Sequence, residues 1–332
     1  MNTPPHKIAN LFMLFLLSFN FLLAILIGQL YRDLWHGTAM GGIIRSPWFL
    51  IVIQVLGLLM PMFIFGLIPR DEGLKLIKRE PLGPINVLLV IVISLLLQPA
   101  MMLFSGLASL AFPNPVMPLI SELAILPLPQ ALIIVALTPA ICEELVFRGF
   151  IQSGYEKQPI VIAAIVNGLF FGMIHLNLHQ FFYAFAMGIV FAYMVHITRS
   201  ILSVVLAHFV VNATQYTLSY LALRQFGPPT PPTDYELQSA LLEILILSGF
   251  TLPPAIGIFY IFVRYNAHRQ LVGAFEENTG ENIGESIEVS IEENTETNTG
   301  ESTEENAKEK LPFDIAFWTV IIVFAALMVI SN

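Results

Sequence analysis

The sequence predicts an all-α protein, a polytopic transmembrane helix bundle of about nine helices built around a core of four. Three observations predict it. Of the 332 residues, 56% are hydrophobic and only 12% charged, whereas soluble domains carry about 25% charged side chains. Apolar runs close to the ~20 residues needed to cross a bilayer recur from end to end. Charge falls between those runs or near their ends, as Glu243 does, except for one group inside the fourth, CEELVFRGF at 142–150.

The runs lie at 9–30, 48–69, 85–112, 131–152, 159–176, 181–197, 201–223, 239–264 and 313–330. The first exceeds the ~7–15 apolar residues of a signal peptide and no small-residue cleavage site ends it, so it is expected to be a retained helix. The third is long enough to tilt or to end in a re-entrant turn. The stretch 113–130, PNPVMPLISELAILPLPQ, is proline-punctuated and suits an outer loop with a short surface helix. PPTPPTD at 228–234 reads as a second, turn-rich outer loop. Basic residues mark cytoplasmic loops, and Arg70, Lys75, Lys78 and Arg79 assign the loop after the second helix to that side. Counting helices from it places Lys7, Lys157, Arg199, Arg264 and Arg269 there too, with only Arg32, Arg45 and Arg224 opposite. A multi-pass protein of the cell membrane with a cytoplasmic N-terminus is the expectation; nine helices would put the C-terminus outside.

From 273 to 311 the composition changes. EENTGENIGES recurs loosely as EENTETNTGES, with almost nothing to bury, and such a segment should be a disordered cytoplasmic loop. Glu276 to Lys310 holds 12 acidic residues and two lysines, leaving 12 acidic and 13 basic residues for everything else. The membrane body is therefore nearly neutral, and no basic surface for nucleic acid exists. The single cysteine, Cys142, excludes an intramolecular disulfide and any CxxC metal site, and reads as a small apolar filler.

Ionisable groups within membrane spans are rare and face a bundle interior or a water-filled cavity. Here they concentrate in three helices: Glu143, Glu144 and Arg148 in the fourth, Asn167 and His175 in the fifth, His208 and Asn212 in the seventh. Glu144 and Arg148 are four apart, on one face, in the favourable orientation for an ion pair. That leaves Glu143, about 100° round the helix, without a local partner. Asn167, Phe171 and His175 form one stripe of the fifth helix, beside a small-residue stripe of Ala164, Gly168 and Gly172 that lets another helix approach closely. His208 and Asn212 share a face of the seventh. Three polar stripes are kept from lipid most cheaply by turning them to a common centre.

A desolvated glutamate is a useful general base, an imidazole can hold a water, and a histidine with an amide can stabilise an oxyanion. The set suits water-mediated hydrolysis of an amide. Glu143, His175 and His208 could also bind zinc or another divalent metal with an open position for water, although HExxH is absent. No serine stands in a GxSxG turn.

EELVFR at 143–148, FGMIH at 171–175 and HFVVN at 208–212, in this order on successive membrane helices, resemble the CPBP intramembrane protease family, also called the CAAX protease or Abi family, which includes the Ras-converting CAAX endopeptidases. The resemblance covers about 131–216. It implies that Glu143 is the base that activates water, that His175 helps to hold that water, that His208 and Asn212 stabilise the oxyanion, and that Glu144 and Arg148 support the site. Members are often called metalloproteases. The organisation expected is then N-terminal helices and outer loop at 1–130, the catalytic helix core at 131–223, an additional helix within 224–272, the acidic loop at 273–311 and a last helix at 312–332. The expected function is an intramembrane endopeptidase acting on membrane-associated protein or hydrophobic peptide substrates amid membrane lipids; nothing here indicates a prenylated one. Two other classes compete, a non-enzymatic, immunity-type membrane scaffold and a proton-coupled transporter. The latter should show two similar halves with interrupted helices, and the polar residues instead cluster in helices four to seven.

Overall fold

The computed structural model describes residues 4–67, 80–227, 233–279 and 312–331. Among them there is no strand. Nine apolar helices follow in order: α1 Pro5–Trp35, α2 Phe49–Gly66, α3 Pro84–Ala108, α4 Leu128–Tyr155, α5 Ile160–Ile174, α6 Leu178–Thr198, α7 Ile201–Phe226, α8 Asp234–Thr279 and α9 Ile315–Ser331. All but α5 and α9 are long and apolar enough to cross a membrane, making seven candidate spans among the described residues. Large apolar side chains such as Leu22, Phe63, Leu88, Leu218, Phe250 and Ile322 stay exposed on the bundle's outside. Water would penalise that many greasy side chains, and lipid does not. The chain is a multi-pass membrane protein.

The expected outer loop carries its short helix, Val116–Leu123. One boundary is corrected. α8 is a single helix of 46 residues, so 273–279, expected to be structureless, continue it. The rest of the acidic segment, 280–311, lies outside the described residues, as do the basic loop 68–79 and residues 228–232.

α4 to α7 form the centre. α5 packs along α6, α7 lies across α4, and α3 covers α6 and α7 while α8 lies on α3. α1 packs on α2, α4 and α9. The α5–α6 contact depends on glycine. A Cβ on Gly168 would lie 2.7 Å from Phe185 O, and one on Gly188 2.5 Å from Gly168 Cα, so the two backbones touch where the small-residue stripe predicts.

Two helices are interrupted by proline in the same way. In α2, a π-helical turn Val55–Leu59 precedes Pro61. In α4, a π-helical turn Ile133–Leu137 precedes Pro139. Proline has no N–H to give to the carbonyl four residues back. Each freed carbonyl takes an asparagine from a neighbouring helix: Asn20 Nδ2 donates to Gly57 O at 2.8 Å, and Asn212 Nδ2 to Val135 O at 3.2 Å. The kinks are thereby clamped to α1 and α7.

α5 is the short helix of this core. Its fifteen residues rise about 22 Å, less than the ~30 Å hydrocarbon core. The turn back is made by Leu176, whose φ of 48° is left-handed and unusual for a residue with a branched side chain. Asn177 then caps α6 by accepting the Gln180 N–H at 3.1 Å. His175, expected inside a run ending at 176, is instead the residue that ends α5 within the bundle.

Candidate active site

In α4 the segment Thr138–Glu144 is α-helical and Leu145–Ile151 is π-helical, so the motif EELVFR straddles the change. Insertions of this kind re-aim side chains and are frequent at functional sites. Asn167 Nδ2 donates to Phe147 O at 2.7 Å, which ties the π segment to α5. With Asn212 on Val135, both amides that the sequence singled out grip the backbone of α4 on either side of the glutamates.

Glu144 and Arg148 form the expected ion pair, Oε1 to Nη1 at 2.9 Å, both side chains fully buried. The pair has a third member that spacing did not reveal. His208 Nδ1 lies 2.7 Å from the same Glu144 oxygen, and a carboxylate acceptor requires that this nitrogen carry the proton. His208 is thus held by Glu144, while Asn212, its expected companion, is engaged one turn further along α7. The guanidinium of Arg148 also reaches Gly188 O at 3.4 Å, which is possible because the glycine crossing brings that part of α6 close.

Phe171 is the hub of the cluster. Its face lies under Arg148 at 4.2 Å from guanidinium carbon to ring centroid, a cation–π contact. Its ring stands edge-on to His175 at 5.3 Å and to His208 at 5.9 Å, and Phe191 flanks His208 at 5.8 Å. The sequence placed Phe171 on the polar stripe but gave no reason for an aromatic there. The reason is that one apolar ring orients a cation and two imidazoles at once.

His175 donates Nδ1–H to Phe171 O at 2.8 Å, so its Nε2 keeps a lone pair. The shared contacts of Phe171 with Arg148, His175 and His208 place these α4, α5 and α7 residues around one ring. The two glutamates differ in access. Glu143 retains 9% of its surface while Glu144 is completely covered. Among the described residues, the hydrogen bond to the Glu143 carboxylate comes from Gln54 Nε2 of α2, at 3.5 Å, a residue outside the motif-bearing core. A cavity of about 200 Å³ lies elsewhere, between the chain that ends α4 and the end of α6, lined by Gln152, Glu156, Gln158, His196 and Arg199.

The metal set Glu143, His175 and His208 does not assemble as the sequence suggested. Among the described residues no three His, Cys, Asp or Glu side chains converge on a point a metal ion could occupy. Glu144 and the Phe171 carbonyl each hold the Nδ1 of one imidazole and so fix where the rings face. Cys142 is buried, as a filler would be.

Comparisons with known proteins point the same way. Residues 125–214 match the family model described as type II CAAX prenyl endopeptidase Rce1-like. The chain is 27% identical over 119 residues to YdiL of Bacillus subtilis (strain 168), a protein named as a candidate membrane peptidase. That stretch covers 36% of this chain and 46% of YdiL, so the chain spans just under half the length of that relative. No solved structure matches.

Proposed function

Because residues 125–214, which carry all three motifs, belong to the CPBP or CAAX protease family, we propose that this chain is an intramembrane endopeptidase that hydrolyses peptide bonds of membrane-associated or hydrophobic substrates. One observation carries the reading. Of two adjacent glutamates, Glu144 is completely covered and committed to an ion pair and an imidazole, while Glu143 keeps 9% of its surface and, among the described residues, only a long hydrogen bond to Gln54; His175, on the neighbouring helix, keeps a free Nε2 lone pair.

The chemistry follows from that division. Glu143 takes a proton from a water whose second hydrogen is held by His175 Nε2, and the water oxygen attacks the scissile carbonyl carbon. The Glu143 proton then passes to the leaving nitrogen as the C–N bond breaks, so the water ends divided between a new carboxyl and a new amine. Negative charge on the carbonyl oxygen is met by His208, donating from Nε2 while its Nδ1–H is given to Glu144, and by the second N–H of Asn212, whose first is held by Val135 O. Glu144 and Arg148 act through His208. No step passes through a metal. The N-terminus is assigned to the cytoplasmic side by the basic residues, and the prenyl specificity in the family's description is not carried over.

The test is Glu143→Gln, which keeps shape and removes the base. In proteoliposomes with a fluorogenic transmembrane peptide, turnover should fall at least ~100-fold, the usual scale of general-base catalysis, with insertion unchanged. A scaffold or an immunity-type binder would be indifferent to this substitution.

A further inference from the structure

The proposed base is held from outside the family-matching segment. Gln54 is the last residue of the straight first half of α2, immediately before the π-helical turn Val55–Leu59. That turn is pinned to α1 by the Asn20 amide on Gly57 O, with a second Asn20 bond to Leu16 O at 2.9 Å. Space for the clamp exists because residue 57 is glycine: a Cβ there would lie 2.5 Å from Asn20 Oδ1. α2 in turn packs directly on both halves of the α4 motif. The result is a long polar side chain delivered to Glu143 by a kink that is itself locked. Its Nε2 donates to Glu143 Oε1, while its Oε1 is buried with no partner. A buried acceptor without a donor is costly, and a bound peptide brings backbone N–H groups.

We propose that Gln54 is a positioning residue of the site, aiming the Glu143 carboxylate through Nε2 and leaving Oε1 to receive a backbone N–H of the peptide substrate. The assignment rests on the peptidase reading for its meaning, but the contact can be tested apart from it. The catalytic unit is then not confined to 131–223: α2 completes it.

Gln54→Met keeps the side chain's length and volume and removes both polar atoms. In the full chain in proteoliposomes, the infrared difference between wild type and Glu143→Gln gives the carboxylate band of Glu143, and the same difference is taken in the Gln54→Met background. The band is expected to move. Turnover of the fluorogenic transmembrane peptide is expected to fall about 10- to 100-fold, the scale of one hydrogen bond to a charged group, with the loss mainly in kcat. A side chain that only packs would move neither. An unmoved band overturns the proposal whatever the turnover, and so does undiminished kcat in a wild type that depends on Glu143. If wild type shows no Glu143-dependent turnover, the peptidase reading falls, and the band alone decides the contact.

Discussion

Glu143 and Glu144 are chemically identical neighbours, and their surroundings separate them into a reagent and a support. Glu144 accepts from both Arg148 and His208 on one oxygen, with nothing exposed. Removing its charge leaves a buried guanidinium without a counter-ion, which costs about 3–5 kcal/mol. Among the described residues Glu143 has one long hydrogen bond, to Gln54, and its substitution by glutamine should change stability by less than about 1 kcal/mol. Thermal unfolding in detergent therefore separates the two: Glu144→Gln should melt well below wild type, and Glu143→Gln close to it. Equal melting would mean the two carboxylates are equivalent. The Glu144–Arg148 pair was legible in the sequence because residues four apart share a helix face under any tertiary arrangement. His208 as its third member was not. Spacing within one helix groups His208 with Asn212, and no single sequence says which neighbour a stripe faces.

Helices carry their own information at the next scale. The glycine stripe of α5 announced a close crossing, and α5 and α6 meet there. What spacing could not supply was the partner, Gly188, or the consequence, that its carbonyl comes within reach of Arg148. The π-helical turns were likewise illegible. Pro61 and Pro139 signal a kink, but whether the freed carbonyl finds an amide depends on a distant helix placing Asn20 or Asn212 opposite it. The crossing is open to a direct test. Gly188→Ala puts a Cβ 2.5 Å from Gly168 Cα, which forces two backbones apart, and overpacking of this kind costs about 1–3 kcal/mol. A matched control is Gly257→Ala in α8, where a Cβ would meet nothing within 4 Å. Melting should drop for the first variant and hold or rise slightly for the second, since alanine is the better helix former. Turnover should fall only in the first, because Arg148 and Phe171 lie at the crossing.

Across the whole molecule, the first and last helices of the described residues pack together, and one polar cluster ties that contact to the core. Asn10 is completely buried in α1. Its Nδ2 donates to Pro312 O and Asp314 Oδ1, both at 3.0 Å, and its Oδ1 accepts from the hydroxyl of Tyr155 at the end of α4. Asp314 also caps α9, accepting the Phe317 N–H at 2.9 Å. Residues some 300 positions apart thus share one amide, and α9, only 17 residues long, is docked by it. In the sequence Asn10 was one polar residue near the start of a greasy run, and the topology count gave no hint that the two ends of the chain meet. Asn10→Leu keeps the number and branching of the side chain's heavy atoms and leaves the Tyr155 hydroxyl and the Pro312 carbonyl without this partner, a cost of about 1–3 kcal/mol for each buried orphan. Because α9 packs chiefly on α1 while α4 is held by α5 and α7 as well, the loss should be local. Hydrogen exchange in nanodiscs should accelerate across 315–331 and leave 138–148 protected as in wild type, with turnover retained. A matching rise in both segments would show instead that α9 is an integral part of the catalytic bundle, and that the Asn10 amide holds the fold as one cooperative unit.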